Sequence, residues 1–239
     1  MTLTDHNALV GPFPFRRLPE PTPERLLEQM DRLGIGAAWV GHLPSVWYRD
    51  VAAGNDELLE ALAPYRARLR PVPAVNPAYP GWEREIARAR GAGAPAVRTY
   101  PSHHGFDPSG RAMTALCGAC ADAGLELVLT VRFEDARQRH PLDVAPDLIG
   151  AAVRAALRAH PRVRLLVTAA DRGLVEEVHF GSTPDEAARV RWDVSWIWGP
   201  PEDHLATLFR TVGRERFVLG THFPLRLPEA ALTKLELSE

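Results

Sequence analysis

Lysine is all but missing from this chain. Of 28 basic residues only Lys234 is a lysine, and the rest are arginine. A single lysine in a helical stretch near the end excludes most Schiff-base chemistry. Cysteine is almost as scarce, with only Cys117 and Cys120, in LCGAC. A four-thiolate zinc site needs a second such pair. A redox pair would open a helix after a strand, whereas LCGAC lies inside an alanine-rich helical stretch. The pair therefore reads as small buried residues on one helix face. No apolar run approaches the roughly 18 residues that span a bilayer. The start lacks the basic-then-apolar pattern of a secretion signal, so the expected location is the cytoplasm. A net charge of −2 supplies no field to draw the chain to nucleic acid or to a membrane surface.

What is present is an alternation. Short β-like runs at 4–9, 36–41, 70–75, 95–99, 125–131, 163–168, 190–195 and 216–221 are separated by amphipathic runs at 23–33, 55–65, 81–91, 110–123, 146–160 and 202–212. The crossover at 171–185 reads as loop-like, and the final helix, 228–237, as short. Strict β-then-α order predicts a parallel sheet with crossover helices. Eight such strands in 239 residues predict one α/β domain, 1–239, a single (β/α)8 TIM-like barrel, a fold of about 250 residues.

Active sites of such barrels lie at the C-terminal strand ends. That rule turns the strand list into a site list: Asn7 and Arg16, His42, Asn76, Arg98 with His103 and His104, Arg132 with Asp135 and Arg137, Asp193 with Ser195, and His222. His222 sits in a turn bounded by Gly220 and Pro224, where it can serve as a general base or a metal ligand. Arg98, Arg132 and Arg137 either converge on an anion or form an ion-pair network with Glu134 and Asp135. Asp193, if buried, must be paired. Arg98, Arg132 and His222 are its candidate partners. Trp192, Trp196 and Trp198 suit a planar or cyclic substrate, with packing the expected role of at least two of them.

Four stretches carry a resemblance: DHNALVGPFPFR at the start, RTYPSHHGF, VRFEDARQRHP and LGTHFPL. In order, they resemble the amidohydrolase-related superfamily of barrel hydrolases, whose branch here also holds non-oxidative decarboxylases and lactonases. The resemblance implies an Asp-x-His-x-His pattern on strand one, which falls on Asp5, Asn7 and Leu9. It implies an aspartate on strand eight where this chain has His222, and often a histidine at the end of strand six, where this chain has Thr168-Ala169-Ala170. The frame is kept and nearly every implied metal-ligand position is changed. The family's His-Gly-aromatic pattern selects His104 over His103.

The expectation is thus a hydrolase acting on an amide, ester or lactone of a small carboxylated or cyclic molecule. His222, His104 and Asp193 are the catalytic candidates. Asn7, Arg16, Arg98 and Arg132 are the substrate-binding candidates. A divalent metal such as zinc would need a rearranged site of His222, His104 and His42. The alternatives are a decarboxylase of the same frame, or a binding protein without catalysis. A small-molecule substrate is the expected partner, nucleic acid and membrane are not, and a homodimer is compatible with the sequence.

Overall fold

A computed structural model describes residues 2–19 and 21–238. Eight parallel strands alternate with helices in chain order. They are β1 (Thr4–Val10), α1 (Pro23–Arg32), β2 (Ala37–His42), α2 (Ala52–Leu62), β3 (Leu69–Pro71), α3 (Glu83–Gly91), β4 (Ala96–Thr99), α4 (Pro101–His104), α5 (Arg111–Ala123), β5 (Glu126–Thr130), α6 (Gly150–Ala159), β6 (Leu165–Thr168), α7 (Arg172–Phe180), α8 (Pro184–Ala187), β7 (Val190–Asp193), α9 (His204–Leu208), β8 (Phe217–Val218) and α10 (Pro228–Ser238). All eight expected strands are present. The sixth crossover is helical rather than loop-like. Asp171 caps α7 by accepting from Leu174 N, and Thr183 with Glu186 forms a capping box on α8. Such caps satisfy N–H groups that a helix start leaves free, so short polar sequences can still be helical.

The strands form two sheets, β1–β2–β3 and β4–β5–β6–β7–β8. Thinner backbone contacts join them at two seams. At β3/β4, Arg98 N donates to Pro73 O and Val75 N donates to Arg98 O, each at 2.8 Å. Pro71 and Pro73 have no N–H to give, which shortens the ladder there. At β8/β1, His6 N donates to Leu219 O, His222 N to Asn7 O and Leu9 N to Phe223 O, each at 2.8 Å. The eight strands thereby run round a ring. Asp5 reinforces the second seam by accepting from Thr221 N and Thr221 Oγ1 at 3.0 and 2.6 Å.

Apolar layers fill the ring. Val72, Ala96, Val128 and Leu166 pack at its N-terminal end, and Leu9, Phe13, Leu43, Tyr100 and Phe133 cap much of the C-terminal mouth. The larger core lies between strands and helices and contains both free, buried cysteines, so their packing role holds. No helix among the described residues is long and apolar enough to cross a membrane.

The lone lysine is structural. Lys234 of α10 points its ammonium at the carbonyls of Val194, Ser195 and Ile197, at 2.7, 3.0 and 2.9 Å. It thus pins the segment after β7. Lys234→Met keeps the aliphatic stem but takes the donor from three carbonyls, of which, among the described residues, only that of Val194 keeps another, from Ile197 N at 3.3 Å. It should cost about 2 kcal/mol, seen as a lower urea midpoint at unchanged m-value.

Candidate functional site

Inside the C-terminal half of the ring, four side chains from four strand ends meet. Asn7 of β1 and Arg98 of β4 join Asp193 of β7 and His222, four residues past β8; all are fully buried. Arg98 Nη2 donates to Asn7 Oδ1 at 2.9 Å. A guanidinium has only donors, so the amide must turn its oxygen toward it. That leaves Asn7 Nδ2 facing Asp193 Oδ2 at 2.6 Å and His222 Nδ1 at 3.0 Å. His222 Nδ1 is therefore the acceptor nitrogen. Its Nε2–H donates to the carbonyl of Phe133 at 3.1 Å. The carboxylate of Asp193 also accepts from Ser195 Oγ at 2.9 Å and from Ala169 N at 2.8 Å.

Local backbone makes this approach possible. His222 and Ala169 lie in the left-handed region, with φ of 58° and 59°. For residues with a Cβ this costs of order 1 kcal/mol or more and persists only where the surroundings enforce it. Gly220 has no room for a side chain, because a Cβ there would sit 2.5 Å from Asp193 Oδ2. Burial sets the charges. It pushes His222 down to about 3, so the ring is neutral at physiological pH. It raises Asp193 to about 6 against the hydrogen bonds from Ala169, Asn7 and Ser195.

The network is covered. The ring of Phe133 lies 6.0 Å from that of His222, and the ring of Trp196 lies 6.3 Å away on another side. Beyond Trp196 opens a cavity of about 500 Å³ lined by Arg16, Arg132, Glu134, Asp135, Arg137, Asp171, Trp196, Trp198 and Arg226. Its arginines differ in status. Arg16 pairs with Glu134, Arg137 with Asp135, and Arg132 with Asp147 and Asp171. Arg226 makes no ion pair among the described residues and stacks on the Trp196 ring, 4.3 Å from its centroid.

The expected residues separate accordingly. Asn7, Arg98, Asp193 and His222 come together, with Asn7 linking Asp193 both to Arg98 and to His222. His104 does not join them; its Nε2 meets Ser45 O at 3.2 Å and its ring packs on Tyr100. His103 pairs with Asp143 at 3.2 Å. His42 is turned to Ser45 Oγ at 2.9 Å and to Glu57 at 3.3 Å. The rearranged metal set of His222, His104 and His42 is therefore not assembled, because neighbours close in sequence or in space hold the last two. Arg16 and Arg132 reach the cavity, but already paired, and Arg132 takes acids other than Glu134 and Asp135. Of the three tryptophans only Trp192 is core packing. The pairing of Trp196 with Arg226 was missed, since 30 positions separate them and neither belongs to a local pattern.

A catalytic metal needs several acceptor atoms aimed at one point. Among the described residues no group of three or more His, Cys, Asp or Glu could hold an ion. Asn7 presents N–H donors to His222 and Asp193, Leu9 has no ligand atom, and both ring nitrogens of His222 are engaged. The donor set does not fit an ion.

No protein-family model and no curated protein matches the sequence. Solved structures do match in fold. A 2,6-dihydroxybenzoate decarboxylase from Rhizobium superposes with a TM-score of 0.74 at 12% identity, covering 100% of this chain and 93% of that one. A dihydroxybenzoic acid decarboxylase from Polaromonas, solved with bound manganese and 2-nitroresorcinol, gives 0.71 at 12%, covering 100% and 91%. A candidate 2-pyrone-4,6-dicarboxylic acid hydrolase from Pseudomonas putida gives 0.66 at 18%, covering 99% and 89%. An uncharacterized TIM-barrel protein from Bordetella bronchiseptica matches as well, with a TM-score of 0.68 at 14% identity, so the likeness establishes the barrel fold, and the names of these neighbours include both decarboxylases and a hydrolase.

Two tests follow from the network. Asn7→Asp removes the donors facing His222 and Asp193 and sets two carboxyls against each other. It should cost about 3 kcal/mol at pH 7 and partly recover toward pH 5, as a shared proton binds, when unfolding is followed in urea. His222→Gln tests the buried neutral ring. Because the folded-state value lies below the ordinary 6.5, the unfolded chain takes up a proton first as pH falls. The stability advantage of the wild type over the variant should therefore shrink below pH 6.5, by up to about 1.4 kcal/mol per pH unit.

Proposed function

We propose that this chain takes a small planar carboxylated molecule into the cavity beside Trp196 and does so without a metal ion. The observation that carries this reading is the Trp196–Arg226 pair. A half-buried indole offers an aromatic surface that already attracts cations, Arg226 lying 4.3 Å and Arg132 5.5 Å from its centroid. Arg226, with no acid bound to it among the described residues, brings a planar fork suited to a carboxylate. Trp198, 56% exposed, extends the aromatic wall. Glu134, Asp135 and Asp171 lie on the same lining and would accept from ring hydroxyls. The solved neighbours named for dihydroxybenzoate and pyrone dicarboxylate chemistry agree with such a ligand in shape and charge.

A second reading adds hydrolysis of an amide, ester or lactone. The observation that favours it is the nearness of His222 to the cavity wall, with its ring 6.3 Å from Trp196. A rotation of Trp196, with release of the Asn7–His222 hydrogen bond, would bring the ligand and a water to Nδ1 of the neutral imidazole, which would then act as the base. Decarboxylation is the competing chemistry of the same fold.

The experiment is tryptophan fluorescence with 2,6-dihydroxybenzoate and 2-pyrone-4,6-dicarboxylate, followed by turnover assays for ring opening and CO2 release. Saturable quenching, lost in Trp196→Ala and weakened about tenfold in Arg226→Gln, supports the binding reading. Absence of quenching with both probes and a wider carboxylate panel overturns it. Turnover that survives chelation and disappears in His222→Gln supports hydrolysis. Binding without turnover leaves a ligand-binding barrel.

A further inference from the structure

Arg98 is the least expected group in the molecule. It is fully buried, yet among the described residues no carboxylate is ion-paired with it; Nη2 meets Asn7, the Tyr100 hydroxyl lies close by, and Nε and Nη1 lack a well-aligned acceptor. A buried charge without a partner is costly, so its retention calls for a reason. Its position supplies one. The backbone N and O of Arg98 make the β3/β4 seam, while its Nη2 reaches Asn7, whose backbone O accepts from His222 N at the β8/β1 seam. The side chain thus crosses the interior from one seam to the other. It also lies among three of the positions to which the resemblance assigns metal ligands. Asn7 touches it directly. Leu9 shares its neighbourhood at Gly41, where a Cβ would be 3.0 Å from Leu9 Cδ2 and 3.7 Å from Arg98 Nη1. His222 is joined to it through Asn7.

We propose that the guanidinium of Arg98 is the barrel's built-in cation, tying its two seams together through Asn7 in the place where a bound metal ion would otherwise organise the strand ends. The polar surroundings suit a cation of this shape. The Asn7 carbonyl faces it, the Asp5 carboxylate at the β8/β1 seam attracts it, and Asp193 lies one amide away. A metal ion in that place would also take the Asn7 oxygen, but it would need the His222 imidazole aimed at it as an acceptor, and here Nδ1 faces the Asn7 amide nitrogen while Nε2 donates to Phe133 O. The proposal does not rest on the cavity ligand, and its readouts do not involve that ligand.

The test is thermal melting of the purified wild type in EDTA and with added zinc or manganese, together with Arg98 and Asn7 variants. The wild type should melt at the same temperature in all three solutions. Arg98→Ala should melt at least about 5 °C lower. Low-millimolar guanidinium should restore part of that loss in the variant while leaving the wild type unchanged or lowered. Asn7→Ala should add little to Arg98→Ala, since both break one tie. If Arg98→Ala does not fold, Arg98→Met, neutral and of similar length, takes its place and should still melt below the wild type. A wild type destabilised by EDTA and restored by zinc or manganese would overturn the proposal. So would an Arg98→Met protein as stable as the wild type, or fully additive losses at Asn7 and Arg98.

Discussion

The hydrogen bond from Arg98 to Asn7 sets the direction of everything around it. Because a guanidinium can only donate, the Asn7 oxygen is committed to it, and the Asn7 nitrogen is committed to the other side. The imidazole of His222 must then accept at Nδ1 and donate at Nε2, and Phe133 offers its carbonyl at the required place. Asp193 receives three donors and remains in the interior. One charged side chain thus fixes an amide orientation, a histidine tautomer and the position of the segment that covers the network. Such a chain is cooperative: replacing any member by a group of the wrong donor sense leaves a neighbour unsatisfied where water does not reach.

That arrangement separates two jobs that a barrel mouth can combine. The strand-end network is rigid, neutral at its imidazole and covered by aromatic rings. The accessible chemistry lies one side chain away, on the outer face of Trp196. There the electrostatics are of a different kind. Three of the cavity arginines are held by acids, and such exposed or half-exposed pairs add little to stability. They do, however, cancel charge. What remains for a ligand is the contrast between neutralised pairs and Arg226, whose guanidinium is stacked on an indole instead of matched to a carboxylate. A planar anion can use both halves of that arrangement at once.

The fold and the inner network were largely legible in the sequence, and the reason is topological. Alternation of period-2 and helical runs forces a parallel ring, and the ring makes strand ends meet. Asn7, Arg98, Asp193 and His222 could therefore be named without knowing any contact. The same rule also named His42 and His104, which stay apart. Strand-end position says that a side chain is near the mouth; it does not say which neighbour wins it. Ser45, in the turn after β2, takes both of these histidines, one through its hydroxyl and one through its carbonyl. Two further features were illegible for a related reason. Arg226 meets Trp196, and Lys234 meets the segment after β7, only because the ring closes and α10 folds back. The helices of the sixth crossover escaped because they are short: α7 offers only Leu174, Val175 and Val178 as an apolar stripe behind its Asp171 cap, and α8 is a single capped turn.

Burying a cation in this position has a consequence for the shape of the site. A metal ion draws acceptor atoms toward itself and keeps at least one direction open to water or substrate when it is catalytic. A guanidinium is flat, has fixed donor directions and carries a stem of its own backbone, so it fills the space it organises. With Arg98 there, the donors and acceptors of Asn7 and His222 are directed at each other, and nothing needs to remain open above them. Phe133 and Trp196 can then close over the network, and a ligand is left with the far side of Trp196. The covered centre and the displaced cavity are, on this argument, two results of the same substitution of a side-chain cation for an ion-binding set of acceptors.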